Sequence, residues 1–136
     1  MSPQLQDDRR CFACGPENPN GLHMQFEYGD GVATCTVEPG QAFAGWSNIM
    51  HGGIVATLLD EAMAHATLTT GERAVTARLE VRFRKPVPTG DSLVVEGRVT
   101  GRRGRVLEVS GVLRGADGTV YANAQSRFVT ELSPDG

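Results

Sequence analysis

The sequence lacks several features of secreted, membrane-spanning and nucleic-acid-binding proteins. Its three cysteines are an odd number, which argues against a disulfide framework and favours a reducing compartment, the cytoplasm. No apolar run approaches the roughly 18 residues that span a bilayer, and the opening MSPQLQDDRR has no apolar core of a signal peptide. The net charge of -3 gives no electrostatic basis for binding nucleic acid or an anionic membrane. We therefore expect a cytoplasmic protein with neither partner.

The composition predicts one globular domain. The chain has 136 residues, of which 40% are hydrophobic and 21% charged, enough to bury a core. We expect residues 1–10 to form a flexible lead-in, 11–132 to form the domain and 133–136 to form a tail. The sequence contains no internal repeat and no low-complexity segment.

The first third of the chain predicts turns and a hairpin. CFACGPENPNGL is dense in Gly, Pro and Asn, which favour turns. Met24, Phe26 and Tyr28 alternate with polar residues, as in a short strand; Asp30-Gly31 then predicts a hairpin turn, and VATCTVE the returning strand. Residues 39–50 have mixed composition, and we expect a loop there.

Residues 52–68 predict one long helix that is apolar on nearly every side. Apolar residues recur there at spacings of three and four: Ile54, Val55, Leu58, Leu59, Ala62, Met63 and Ala66. A helix of this kind is usually wrapped by other elements. Asp60 and Glu61 interrupt the run, and carboxylates are rarely buried unless they are paired or used.

Four strands are predicted after the helix. In TARLEVRFRKPVP, apolar and charged residues alternate, with Ala77, Leu79, Val81 and Phe83 on one face, which indicates a half-buried strand ended by prolines. SLVVEGRV, RVLEVSGVLR and TVYANAQSRFVTEL, separated by the turns TGRRGR and GADG, predict an antiparallel meander. The expected class is α+β, with an antiparallel sheet wrapped around one central helix. Because one sheet cannot enclose such a helix, we expect a partner subunit.

Three motifs resemble the PaaI/4HBT thioesterase branch of the hotdog fold: HGGIVATLLDEAMAHA, TARLEVRFRKPVPTGDSL and GTVYANAQSRFV. The segment CFACGPENPNGL is similar to THEM4-like members, so the resemblance runs from Cys11 to Val129. It implies an enzyme that hydrolyses an acyl- or aryl-CoA to the free acid and CoA, as a homodimer or a dimer of dimers. It implies no cofactor beyond the coenzyme A of the substrate.

The resemblance assigns oxyanion stabilisation to the backbone of Gly52 and Gly53. The chemistry agrees, because the first N–H groups of a helix lack internal partners and carry the positive end of its dipole. Glycine also allows a substrate carbonyl to approach closely. The alternative is a glycine loop that only begins the helix.

Asp60 matches the catalytic acid of the family, nine residues after His51. Gly53 and Asp60 share a helix face but lie roughly 10 Å apart along the axis, too far to act on one carbonyl. An antiparallel helix from a second subunit would bring its Asp60 opposite Gly53, so we expect two shared sites per dimer. Asp60 would act as general base or as nucleophile; the alternative is a paired interface carboxylate.

Other residues near the motif have less definite roles. Glu61 points about 100° away from Asp60; it is the substitute acid, a supporting group or an arginine partner. His51 would contact the thioester or orient the loop, or else act as a cap or a buried histidine. The family suggests that Thr76 positions water, with a locally bonded strand hydroxyl as the alternative. Asn48 is a candidate for binding the carbonyl or water, although some members place this polar residue where the chain has Gly45.

Coenzyme A carries phosphates that call for basic side chains. Two groups are candidates, and the alternative for both is a solvated charged face. They are Arg82, Arg84 and Lys85, and the hairpin residues Arg102, Arg103 and Arg105.

We expect no metal. Cys11 and Cys14 form one CxxC pair, whereas a structural zinc site needs four ligands. Only Cys35 and His23 remain to complete a site, and their spacing matches no known pattern. We expect the two cysteines to serve as small apolar residues of a covering segment, without a redox role.

Two other functions stay open at this point. A hotdog module could bind acyl-CoA without catalysis, although it would have little need of Asp60. A hotdog acyl-thioester dehydratase is the other, although its His/acid arrangement differs from HGG followed by Asp. The acyl chain is not defined, because pocket depth depends on how a dimer closes over Phe43, Trp46 and Met63.

Overall fold

The computed structural model describes residues 5–131; the ends of the predicted lead-in and of the predicted domain, and the whole tail, lie outside it. Within this range the chain forms one α-helix, α1 (Gly52–Leu68), and a short 3-10 helix at Gln41–Phe43. The strands are β1 (Glu27–Gly29), β2 (Val32–Val37), β3 (Ala44–Trp46), β4 (Ile49–Met50), β5 (Ala74–Phe83), β6 (Leu93–Arg103), β7 (Val106–Gly115) and β8 (Val120–Thr130).

The main sheet has six strands in the order β1-β2-β6-β7-β8-β5, and every pair is antiparallel. The meander of three long strands after β5 is confirmed, as is the helix at its predicted bounds. The predicted first strand is shorter than expected, since pairing starts only at Glu27. The N–H of Met24, upstream of it, instead donates to the carbonyl of Ala13, and this buried side chain packs in the core.

The Asp30-Gly31 hairpin turn is confirmed. Gly29 pairs with Val32, so two residues form the turn. Gly31 has a φ of 70°, in the left-handed region where glycine avoids the clash that a Cβ would cause.

The prediction of a loop at residues 39–50 was wrong in part. β3 and β4 pair there as a two-stranded sheet. The hairpin is held in place because Met50 N–H donates to the Val87 carbonyl and His51 N–H donates to the Phe43 carbonyl. Strands of three and two residues are too short to show a periodic pattern in the sequence.

The core lies between α1 and one face of the sheet. The largest fully buried side chains include Phe128, Leu58, Leu59, Met63, Leu93 and Leu107. A Cβ added at Gly97 of β6 would overlap the carbonyl of Ala62 in α1. This absent side chain therefore lets the helix lie directly on the sheet.

β5 differs from the predicted half-buried strand. It lies at the edge of the sheet, bonded only to β8 among the described strands, and its register shifts between Thr76 and Arg78. Val75, Leu79 and Phe83 are 41%, 37% and 58% exposed. Its apolar residues are present as predicted, but residues 5–131 leave several of them exposed.

The N-terminal segment packs against the sheet and the helix. Its backbone bonds include Leu22 N–H to the Phe12 carbonyl, and Leu5 N–H donates to the carboxylate of Glu131. No helix in residues 5–131 has the length and apolar character needed to cross a membrane.

Candidate active site

The N-terminus of α1 presents one free backbone donor. His51 is the N-cap, and its Nδ1 accepts the N–H of Gly53 at 2.9 Å. The N–H groups of Ile54 and Val55 donate to the His51 carbonyl. Within residues 5–131, the N–H of Gly52 has no acceptor. Of the two predicted oxyanion donors, Gly52 is thus available, whereas Gly53 is available only after His51 releases it.

Asp60 lies two turns further along the helix and is held by β5. The Thr76 hydroxyl donates to Asp60 Oδ1 at 2.7 Å, so the structure brings these two candidates together. Burial raises the pKa of Asp60; the Thr76 hydrogen bond opposes this shift, and the charge of Glu61 adds to it. The pKa therefore stays above the ordinary value for aspartate. Asp60 is an oriented carboxylate whose basicity is increased.

Asp60 and the helix N-terminus are not brought together within one chain. Both lie on α1, so the rise of 1.5 Å per residue separates Gly53 from Asp60 by roughly 10 Å along the axis. A carbonyl bound at Gly52 in this chain is therefore beyond the reach of this chain's Asp60.

Glu61 faces a different environment. Its Oε1 accepts from His65 Nε2 at 3.0 Å and from Cys11 Sγ at 3.6 Å. Of the three alternatives for Glu61, the arginine partner is not found within residues 5–131, where a histidine one turn away pairs with the carboxylate instead. The roles of substitute acid and supporting group stay predictions. Burial raises the pKa of Glu61, but hydrogen bonds from His65, Cys14 and Cys11 outweigh it and hold the pKa below its ordinary value.

Two cavities flank the helix N-terminus. One, of about 380 Å³, is mostly apolar and lies beside Gly52, with Trp46, Phe83, Arg84 and Lys85 in its wall. The other, of about 380 Å³, is lined by residues that include Phe43, His51 and Gly53. Trp46 is 81% exposed. An apolar ligand could therefore pass directly beside the free Gly52 N–H.

Comparisons with known proteins identify the family of this chain. The profile of the family described as the thioesterase superfamily (4HBT) matches residues 47–122, more than half of the chain and every candidate from Asn48 to Arg103. The chain belongs to the thioesterase superfamily.

Individual relatives are similar over most of the chain. The bovine (Bos taurus) acyl-coenzyme A thioesterase THEM4 is 29% identical over 143 residues, covering 99% of this chain and 59% of the relative. A crystal structure of a thioesterase superfamily protein has a TM-score of 0.84 and 31% identity, over 89% of this chain and 63% of that one. This superfamily member thus spans about three fifths of the length of these two proteins.

Two more distant structures show the same fold. A hypothetical thioesterase from Streptococcus pneumoniae, solved with coenzyme A, has a TM-score of 0.75 and 18% identity, covering 81% of this chain and 91% of that one. The E. coli PaaI protein has a TM-score of 0.76 and 19% identity, covering 82% and 81%. The hotdog fold expected from the sequence is therefore confirmed.

The two basic groups of this superfamily member lie at opposite ends of α1. Arg84 and Lys85 border the cavity at Gly52, and Arg84 Nε donates to Asn123. Arg102 pairs with Glu72, beyond the C-terminus of α1, at 2.7 Å. The third residue of the first group, Arg82, lies 4.0 Å from Glu80. In the hairpin group, Arg103 is exposed, and Arg105 donates to the Thr130 carbonyl. In one chain, only the first group adjoins the free donor.

Asn48 is engaged in its own loop. Its side-chain oxygen accepts from Gln41 Nε2 at 3.0 Å, its carbonyl accepts from Thr89 N–H, and its φ of 61° marks a tight turn. Asparagine tolerates this conformation better than most residues. Met63 was expected, with Phe43 and Trp46, to lie where a dimer would set the depth of the acyl pocket. In the structure its side chain is fully buried in the core.

One constellation has no counterpart in the sequence analysis. His65 is bonded through Nδ1 to the Tyr28 hydroxyl at 2.7 Å and stacks on Phe26 with ring centroids 4.0 Å apart. The spacing of four between Glu61 and His65 is a sequence signal that could have suggested their pairing. The contact with Tyr28 joins residues 37 positions apart, which no local pattern reveals.

Proposed function

We propose that this chain hydrolyses the thioester of an acyl- or aryl-CoA. The observation that carries the proposal is the Thr76–Asp60 hydrogen bond of 2.7 Å in a member of the thioesterase superfamily. This bond orients a carboxylate of raised pKa through a neutral hydroxyl and not through an ion pair, as is typical of a catalytic acid or base. The relatives named acyl-coenzyme A thioesterases support the same reaction.

The working unit in this proposal is a dimer with two shared sites. Gly52 of one subunit would bind the thioester oxygen, and Asp60 of the partner would reach the carbonyl carbon. The exposed apolar residues on the edge strand β5 support association, because unpaired edges with apolar side chains are sites of strand addition. Two such dimers could associate further.

The reaction starts with Asp60 ionised. As general base, Asp60 takes a proton from water while the oxygen attacks the thioester carbonyl; the Gly52 N–H stabilises the oxyanion. Collapse of the tetrahedral intermediate breaks the C–S bond, and the CoA thiolate takes up the proton that Asp60 had accepted. As nucleophile, Asp60 would instead attack the carbonyl; the C–S bond breaks, CoA leaves as the thiolate, and water hydrolyses the resulting anhydride to restore Asp60 and supply the proton that the thiolate takes up. Both routes give the free acid and CoA.

Coenzyme A would enter along the cavity beside Gly52, with its phosphates near Arg84 and Lys85. The coenzyme A in the Streptococcus pneumoniae thioesterase supports a CoA ligand for this fold. We propose that hydrolysis needs no further cofactor. A cytoplasmic setting fits the three free cysteines.

The test is CoA release from short-, medium- and long-chain and aryl thioesters by wild type, Asp60→Asn and Glu61→Gln. Asp91→Asn is the matched control, since it makes the same change on an exposed loop. We expect turnover of at least one substrate class, and its reduction by about 10²- to 10⁴-fold in Asp60→Asn.

Three outcomes would change this conclusion. Binding of acyl-CoA without turnover of any substrate favours the non-catalytic module. Hydration or dehydration of an acyl thioester without CoA release favours the dehydratase. Activity that survives Asp60→Asn but not Glu61→Gln moves the catalytic role to Glu61.

A further inference from the structure

The CxxC pair at the start of the domain forms a closed turn. Gly15 N–H donates to the Cys11 carbonyl at 2.8 Å, and Cys14 N–H donates to Cys11 Sγ at 3.4 Å. A Cβ added at Gly15 would overlap the backbone N of Cys11, so the turn requires glycine. This geometry places both sulfur atoms on the same side of the turn.

The turn is packed against the middle of α1, where Glu61 meets it. The ligand atoms of Cys11, Cys14 and Glu61 all lie within 4.8 Å of one another. Around one tetrahedral zinc ion, with bonds of about 2.0–2.3 Å, such atoms would be about 3.5–3.8 Å apart. Small side-chain rotations are therefore enough to form a site. Cys35 and His23, the additional ligands that the sequence suggested, are not part of this cluster; the fold supplies Glu61 instead.

Glu61 is also held by His65, which bonds the same oxygen, Oε1, as Cys11. A carboxylate only accepts hydrogen bonds, so His65 Nε2 carries the hydrogen in their 3.0 Å contact. In the neutral imidazole, Nδ1 then accepts the hydroxyl hydrogen of Tyr28 at 2.7 Å. Glu61 and His65 side chains are only 14% and 16% exposed. Histidine and tyrosine thus orient the carboxylate, as outer groups do around metal ligands.

We propose that Cys11, Cys14 and Glu61 bind one Zn²⁺ ion, with water as the fourth ligand and His65 positioning Glu61. Two thiolates and one carboxylate suit zinc rather than magnesium or calcium, which take oxygen ligands. Binding converts both thiols to thiolates and releases two protons. A cavity of about 410 Å³, lined by these ligands together with Leu68 and Arg73, provides the entry path and room for the water.

The ion would have a structural role and not a catalytic one. It would fasten the N-terminal turn to the residue next to Asp60, while Asp60 itself points to Thr76 on β5. The site uses Glu61, whose charge acts on Asp60, but none of Gly52, Asp60 and Thr76. Zinc content and CoA release are separate measurements, so the two proposals can fail separately.

The first test measures bound zinc in the full chain, purified without chelators, by elemental mass spectrometry. We expect about one zinc per chain. Cys11→Ser, Cys14→Ser and Glu61→Gln should each lose most of it, and His65→Ala should weaken zinc affinity about 10- to 100-fold. Cys35→Ala is the matched control, because Cys35 is a buried cysteine outside the cluster, and it should retain full zinc.

A second test uses only wild type, so a variant that fails to fold does not affect it. Cobalt replaces zinc, and we expect thiolate-to-cobalt charge-transfer absorption and the d–d bands of tetrahedral cobalt. Removal of the metal by a chelator should lower the melting temperature and expose both thiols to alkylation.

The proposal is overturned by wild-type protein that contains no stoichiometric zinc and gives no thiolate–cobalt band. A second result would also overturn it: freshly purified protein contains no metal, carries a Cys11–Cys14 disulfide, and still fails to bind cobalt after this disulfide has been reduced. Zinc content unchanged in Cys11→Ser and Cys14→Ser would place any bound metal elsewhere and reject this site.

Discussion

The Thr76 hydroxyl donates a hydrogen bond of 2.7 Å to the carboxylate of Asp60, joining the edge strand to the central helix. The bond favours the charged form of Asp60 against the effect of burial. Because Asp60 must be ionised in the proposed reaction, activity should fall as pH drops through its pKa.

Replacement of Thr76 by alanine should move the acid limb of the kcat/KM profile to higher pH. Loss of the donor destabilises the carboxylate, so the pKa of Asp60 rises further and more of the enzyme is protonated at a given acidic pH. Thr76→Ser retains the hydroxyl and should keep the limb near its wild-type position. An unchanged limb in Thr76→Ala, with reduced activity at every pH, would show that the residue acts otherwise.

Gly52→Pro should abolish the free donor without breaking the helix. Proline suits the first helical position, and His51, with φ -60° and ψ 134°, already has the extended conformation preferred before proline. We expect kcat to fall about 10²- to 10³-fold, as for the loss of one oxyanion donor. Gly52→Ala is the control: it keeps the N–H, and its Cβ would meet Phe83 at an ordinary 3.7 Å. Equal activity of the two variants would rule out this N–H as the oxyanion donor.

Co-expression of an Asp60→Asn chain with a Gly52→Pro chain should restore activity. In the mixed dimer, one site combines the intact Gly52 of the first chain with the intact Asp60 of the second. Purified heterodimers carrying two different tags should therefore show about half of the wild-type activity per dimer. Heterodimers as inactive as the two parent proteins would indicate that each site belongs to one chain.

Neutralising Arg84 and Lys85 together as glutamines should raise KM for acyl-CoA about tenfold, as expected for loss of charge-assisted phosphate contacts. The effect should disappear with an acyl-pantetheine substrate, which lacks the phosphates. Arg102→Gln is the comparison, because Arg102 is paired with Glu72 at the other end of α1. A larger effect of Arg102→Gln would assign the nucleotide to the hairpin group.

Gly97→Ala should destabilise the fold by about 1–3 kcal/mol, because the added methyl group forces α1 away from β6. Gly29→Ala has nothing within 4 Å of the added Cβ and serves as the control. Chemical denaturation gives the free energy of unfolding of both variants. A Gly97→Ala protein as stable as the Gly29→Ala control would show that α1 tolerates the shift.

The helix and the long strands were predictable because each has a sustained period in the sequence. Apolar spacing placed α1 at residues 52–68, and alternation identified the meander. The hairpin of β3 and β4 was missed, since five strand residues are too few for a pattern. The contact between Cys11 and Glu61 spans 50 positions, and only the packing of the turn on the helix creates it. The exposure of β5 was not predictable, because alternation shows which residues share a face of a strand but not what covers that face.

For the proposed dimer, the exposed edge of β5 also has a consequence for the kinetics of subunit association. A folded single subunit would present a ten-residue strand with unpaired backbone groups and apolar side chains to the solvent. Its lifetime should therefore depend on how often it meets another subunit. Refolding from denaturant should end in a second-order phase whose rate rises with protein concentration, and dilute samples should accumulate an aggregation-prone intermediate.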